Sequence, residues 1–174
     1  MVFSQLKAGS RAGMLVTGAR GSGKTAWARA TYDELAPGFE RAAWISGTLP
    51  DSVVPFAAFE RLFTVPETGR TVQVLQAARD ALGTGLLLVV DDAHLLDRLS
   101  ASLVYQLAVS GAAHVIVTAA ANQSLPEGIS SLVRDRLVVP VAAESPGGLV
   151  APAVPELPPS EGDGVVARLR RFRP

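Results

Sequence analysis

Cysteine is absent from the 174 residues. That excludes a disulfide framework, zinc–thiolate sites and a cysteine nucleophile, and it fits a reducing compartment. Lysine is nearly absent too: Lys7 and Lys24 stand against fourteen arginines. With abundant alanine, this ratio reads as the codon bias of GC-rich DNA, so a lone lysine is conspicuous. Net charge is also missing. Sixteen basic and sixteen acidic residues balance. Without a basic excess, direct nucleic-acid binding is not expected. No apolar run reaches the ~18 residues of a membrane span. Met1–Lys7 holds no apolar stretch of signal-peptide length. The expectation is a cytoplasmic chain without a membrane partner.

Hydrophobic residues make up 48% of the chain, enough at this length to fill one core. Five apolar runs stand out: 13–17, 42–46, 86–90, 114–118 and 137–141. Each has strand length. None alternates with polar residues, so both faces are buried, as in a parallel sheet covered by helices. Helical stretches lie between them. Residues 24–36 stop at Pro37-Gly38. Residues 70–82 carry Val72, Leu75, Ala78 and Leu82 and end at Gly83. Residues 98–110 carry Leu99, Leu103, Gln106 and Leu107 and end at Gly111. The alternation predicts a three-layer α/β domain over residues 1–142.

Residues 143–174 change character. Pro146, Pro152, Pro155, Pro158 and Pro159 crowd a stretch whose charges, Glu144, Glu156, Glu161 and Asp163, are all acidic up to residue 164. Proline cannot donate a backbone hydrogen bond, so a disordered tail is expected. Arg168, Arg170, Arg171 and Arg173 then follow. They read as an anion-binding arm or as a solvated end, and four arginines are few for firm nucleic-acid binding.

Gly18-Ala19-Arg20-Gly21-Ser22-Gly23-Lys24-Thr25 matches G-x-x-x-x-G-K-[ST] between an expected strand and an expected helix. This chain's own residue frequencies give roughly 0.002 such matches by chance. Glycines let the backbone curl close to a phosphate. Successive N–H groups and the positive end of the helix then converge on its oxygens. Lys24 supplies a point charge for the β- and γ-phosphates, and Thr25 a hydroxyl for Mg²⁺. The eight residues are expected to bind ATP or ADP.

The run 86–90 ends abruptly in Asp91-Asp92. Carboxylates at the end of a buried strand need a partner, and beside a phosphate loop that partner is Mg²⁺. Asp91 is expected to hold the ion and Asp92 to polarise an attacking water. The competing reading is that the pair caps the next helix, as Asp97 does. His94 reads as a packing or capping residue. Thr118, with Asn122 second, occupies the position that senses the γ-phosphate in three-layer ATPases with an extra strand between the phosphate-loop and Mg²⁺ strands. No N-K-x-D guanine motif occurs.

Together, Gly18–Thr25 and Val89-Val90-Asp91-Asp92-Ala93-His94-Leu95-Leu96-Asp97 resemble the ATPase domain of large LuxR-type (LAL) transcriptional regulators, in the STAND branch of AAA-related P-loop ATPases. Ala43–Thr48, Val54–Phe59 and the loop-like Leu125–Ile129 are similar to further segments of that family, so the resemblance spans about residues 6–141. It implies a mainly parallel five-stranded sheet in the order 5-1-4-3-2, with ATP and Mg²⁺ as cofactors. The family's helical lid, helical repeats and DNA-binding helix-turn-helix have no counterpart in these 174 residues, and alanines follow Thr118 where the family often has an arginine. Arg134 and Arg136 are the nearest arginines for donation to another subunit. Three functions compete: an ATP-binding signalling domain with slow or absent hydrolysis, a non-catalytic interaction module or truncated regulator acting through a protein partner or self-association, and a small-molecule kinase.

Overall fold

The computed structural model describes residues 12–49, 52, 54–64 and 71–143. The expected tail and its arginines lie outside the described residues, as does the boundary's far side.

The five apolar runs form five strands: β1 (Gly13–Gly18), β2 (Arg41–Ser46), β3 (Leu86–Asp91), β4 (Ala113–Ala120) and β5 (Val138–Ala143). All four pairings are parallel, and the sheet order is β2-β3-β4-β1-β5. That is the expected order read from the other edge. β4 therefore lies between β1 and β3. All strands end at one edge of the sheet, which brings Gly18, Ser46, Asp91, Ala120 and Ala143 to the same pole.

β3 is buried at every position, and its side chains alternate between two layers. Leu86, Leu88 and Val90 join the cluster that holds α2 (Thr71–Leu82), α3 (Arg98–Val109) and α4 (Glu127–Arg134). Leu87 and Val89 join the smaller cluster with Trp27, Ala28 and Leu35 of α1 (Lys24–Leu35). The sheet is thus covered on both faces, which is why its strands carry no polar alternation. α1 gives way to a 3-10 turn over Ala36–Gly38, where Pro37 and Gly38 end the helix. Asp97 caps α3, accepting from Leu99 N–H and Ser100 N–H at 2.9 Å each.

α4 corrects the expectation of a loop around Leu125–Ile129. The helix starts at Glu127 directly after Pro126, and Ile129 and Leu132 bury completely against the core. It runs back toward the pole where β5 begins. Arg134 and Arg136, close to Thr118 in sequence, therefore sit at the end of the sheet opposite the phosphate loop. Arg134 is also occupied, donating to Glu127 at 3.0 Å and to Ser131 at 2.6 Å.

Candidate functional site

The loop between β1 and α1 closes on itself. Gly21 and Gly23 have φ of 78° and 84°, a left-handed conformation that is strained for any residue with a Cβ. Gly23 is the N-cap of α1, so the helix opens at Lys24 with its free N–H groups turned to the loop. Lys24 is only 7% exposed. Its Nζ donates to Gly18 O at 3.0 Å, Ala19 O at 2.7 Å and Ser22 Oγ at 3.4 Å. The chain's conspicuous lysine is thus folded over the loop, its ammonium held by two loop carbonyls and the Ser22 hydroxyl. Ala19 and Arg20 are exposed.

Asp91 ends β3 and is 7% exposed. Its Oδ1 accepts from Thr25 Oγ1 at 3.2 Å and from Thr118 Oγ1 at 2.5 Å. One carboxylate oxygen therefore ties the first turn of α1 to β4 across the top of the sheet. A hydroxyl that donates to Asp91 keeps its lone pairs, so Thr25 still has an oxygen to offer a cation. Thr25 and Asp91 form an all-oxygen donor pair, which fits a hard ion such as Mg²⁺. Among the described residues no group of three His, Cys, Asp or Glu could cage a metal. The residues present fit Mg²⁺ as an ion held by one carboxylate, one hydroxyl and the phosphates it accompanies.

Thr118 is fully buried. Besides donating to Asp91, its hydroxyl accepts from Asp92 N–H at 3.1 Å, so it faces the two aspartates. Asn122 lies in the exposed turn after β4. Asp92 is left-handed, with φ 50° and ψ 46°, a conformation that Asp tolerates better than most residues. Its side chain is 47% exposed. The phosphate loop, Thr25, Asp91, Asp92 and Thr118 are thus gathered at one pole.

Two supports were not legible as such. Gly47 donates its N–H to Asp91 O at 2.8 Å, and a Cβ there would meet Asp92 O at 2.5 Å and Leu95 at 3.0 Å. Only glycine lets β2 press this closely on the turn after Asp91. His94 Nδ1 accepts from Ala120 N–H at 3.4 Å and lies 4.0 Å from Asp92 Oδ1. Nothing in the sequence says that this turn reaches the end of a strand 26 residues away.

The sheet order, the loop and the acidic strand end define a domain of P-loop NTPase-like architecture. No family model and no curated protein matches the chain. Among solved structures, a Thermotoga maritima RuvB variant aligns with 81% of this chain and 41% of its own, at 19% identity and a TM-score of 0.42. C. elegans PCH-2 aligns with 83% of this chain and 40% of its own, at 15% identity and a TM-score of 0.43. The chain spans about two fifths of the length of these proteins. No helix among the described residues is long and apolar enough to cross a membrane.

Proposed function

We propose that this chain binds Mg-ATP as a signalling domain of the AAA/STAND type, with slow or absent hydrolysis. The observation that carries the reading is the Thr25–Asp91 hydrogen bond. It couples the first turn after the phosphate loop to the acidic end of β3, so a cation and a triphosphate have one shared place to sit. Kinship with the LuxR-type regulators rests on the strings Gly18–Thr25 and Val89–Asp97.

Slow hydrolysis follows from charge. A positioned arginine contributes about 10³–10⁵ in rate to phosphoryl transfer, and Arg134 is engaged by Glu127 at the far pole. The loop, Lys24 and Mg²⁺ remain, and these favour binding over turnover. An arginine donated by another subunit or a partner would raise the rate.

The test is a thermal shift on the full chain. At ATP a hundredfold above its Kd, binding stabilises by about 2.7 kcal/mol, a Tm rise of roughly 5–10 °C for this size. Millimolar Mg-ATP is expected to give that rise, and turnover is expected to stay below about 1 s⁻¹. No shift in the wild type removes the reading. Turnover above that rate, lost in Lys24→Ala, contradicts its slow-hydrolysis half.

A further inference from the structure

Above Val90, which pairs with Val117 as the last step of the β3–β4 ladder, the two strand ends separate. Along β4, Val115 N–H and Ala121 N–H bond to Ala12 O at 2.7 Å and Gly18 O at 3.1 Å, on the β1 side. N–H groups of a strand alternate in direction, so the even-numbered donors of β4, Ala120 among them, face β3. Continued register would place residue 93 opposite Ala120. By then the chain has left the ladder at left-handed Asp92 and entered the 3-10 turn Ala93–Leu95. The Asp92 carbonyl is already used within that turn, accepting from Leu95 N–H at 2.9 Å.

Two backbone donors past the last ladder pair are satisfied instead by side chains from the opposite element. Asp92 N–H goes to Thr118 Oγ1. Ala120 N–H goes to His94 Nδ1, a long bond at 3.4 Å from a ring that is 11% exposed. The exchange is reciprocal: β4 holds the Asp92 backbone, and the turn carrying Asp92 holds the end of β4.

We infer that His94 is a positioning residue: with Thr118 it forms a two-point latch that fixes the Asp91–Asp92 turn against β4, and it does so as a neutral imidazole protonated on Nε2. An Nδ1 that accepts Ala120 N–H cannot also carry a proton. The separation of 4.0 Å from Asp92 Oδ1 exceeds hydrogen-bond length, so the ring does not take up that carboxylate. A left-handed non-glycine residue persists only where its surroundings over-determine it, and the latch supplies that constraint. Resting on the nucleotide-binding reading, the inference adds that the latch preorganises the Mg²⁺-dependent part of ATP binding and leaves contacts of the phosphate loop alone.

The experiment compares the wild-type chain, His94→Leu and His94→Asn. The leucine has no acceptor, whereas the asparagine side chain can place an oxygen near the Nδ1 position. Ring ¹⁵N shifts of the wild type are expected to show bare Nδ1 and protonated Nε2. His94→Leu is expected to speed Ala120 amide exchange. It should also lower the ratio of ATP affinity in Mg²⁺ to that in EDTA about fivefold, the size of one hydrogen bond, with affinity in EDTA unchanged. His94→Asn should restore both. A proton on Nδ1, unchanged Ala120 exchange in His94→Leu, an unchanged affinity ratio or failure of the asparagine to rescue overturns the inference. The tautomer is read on the wild type, so a misfolded variant does not remove the test. Absence of ATP binding under every condition overturns the nucleotide reading, while the tautomer and Ala120 exchange still decide whether the latch exists.

Discussion

The Thr118 hydroxyl spans two aspartates: it donates to Asp91 Oδ1 at 2.5 Å and accepts from Asp92 N–H at 3.1 Å. The single donor of this fully buried hydroxyl and one of its lone pairs are engaged at the end of β3. Asp91 Oδ1 takes a second hydroxyl, from Thr25 on α1. The carboxylate is thereby held from α1 and from β4 at once, and hydrogen bonds to a carboxylate are the stronger ones.

Thr118→Val keeps the shape and deletes the hydroxyl. It leaves Asp92 N–H unpaired and Asp91 short of one donor. The expected loss is about 1–3 kcal/mol, read as a lower urea midpoint with an unchanged slope. Thr118→Ser keeps both bonds and should retain most of the stability. Equal midpoints for valine and wild type would show that the bridge contributes nothing.

Gly47→Ala tests close approach. The new methyl would meet Asp92 O at 2.5 Å, so backbone must move at an overpacked site, at a cost of about 1–3 kcal/mol. Gly38 has nothing within 4 Å of its would-be Cβ, so Gly38→Ala is the control and should be neutral or slightly stabilising. Comparable melting temperatures for the two variants would show that Gly47 is not a point of close approach.

His114 on β4 packs edge-on to Phe39, with ring centroids 5.3 Å apart, and burial lowers its pKa below the usual 6.5. The neutral ring is therefore favoured in the folded state. As pH falls below about 6.5 the unfolded chain takes up a proton that the folded chain resists, so stability falls. Stability should be flat above that pH for this group and decline below it. His114→Phe should flatten the decline, measured by urea midpoints from pH 7.5 to 5. An identical slope in the variant would assign the pH dependence to other groups.

Most of the sheet was legible because β1, β3 and β4 are buried on both faces, and a continuous apolar run as short as Leu86–Val90 suits a strand enclosed between two layers. The turn between β1 and α1 was legible because Gly21 and Gly23 take the left-handed backbone that glycine permits. α4 was not. Gly128, Ser130 and Ser131 dilute its helical signal, and eight residues leave few turns to count, although Ile129, Leu132 and Val133 share one face. The His94–Ala120 link depends on the register of β3 against β4 and on which way a single N–H points, and neither is written in local sequence. The same reason separates Arg134 from Thr118: sixteen residues apart in the chain, they are carried to opposite poles by one helix.

Calorimetric titration of ATP into the full chain, with and without Mg²⁺, measures the central claim most directly. One site per chain is expected, tighter with Mg²⁺. Lys24→Ala should weaken it at least tenfold, about 1.4 kcal/mol, because the buried ammonium now folded onto Gly18 and Ala19 would be lost to the phosphates. Absence of binding by the wild type, or equal affinity for Lys24→Ala, would contradict the proposed nucleotide site.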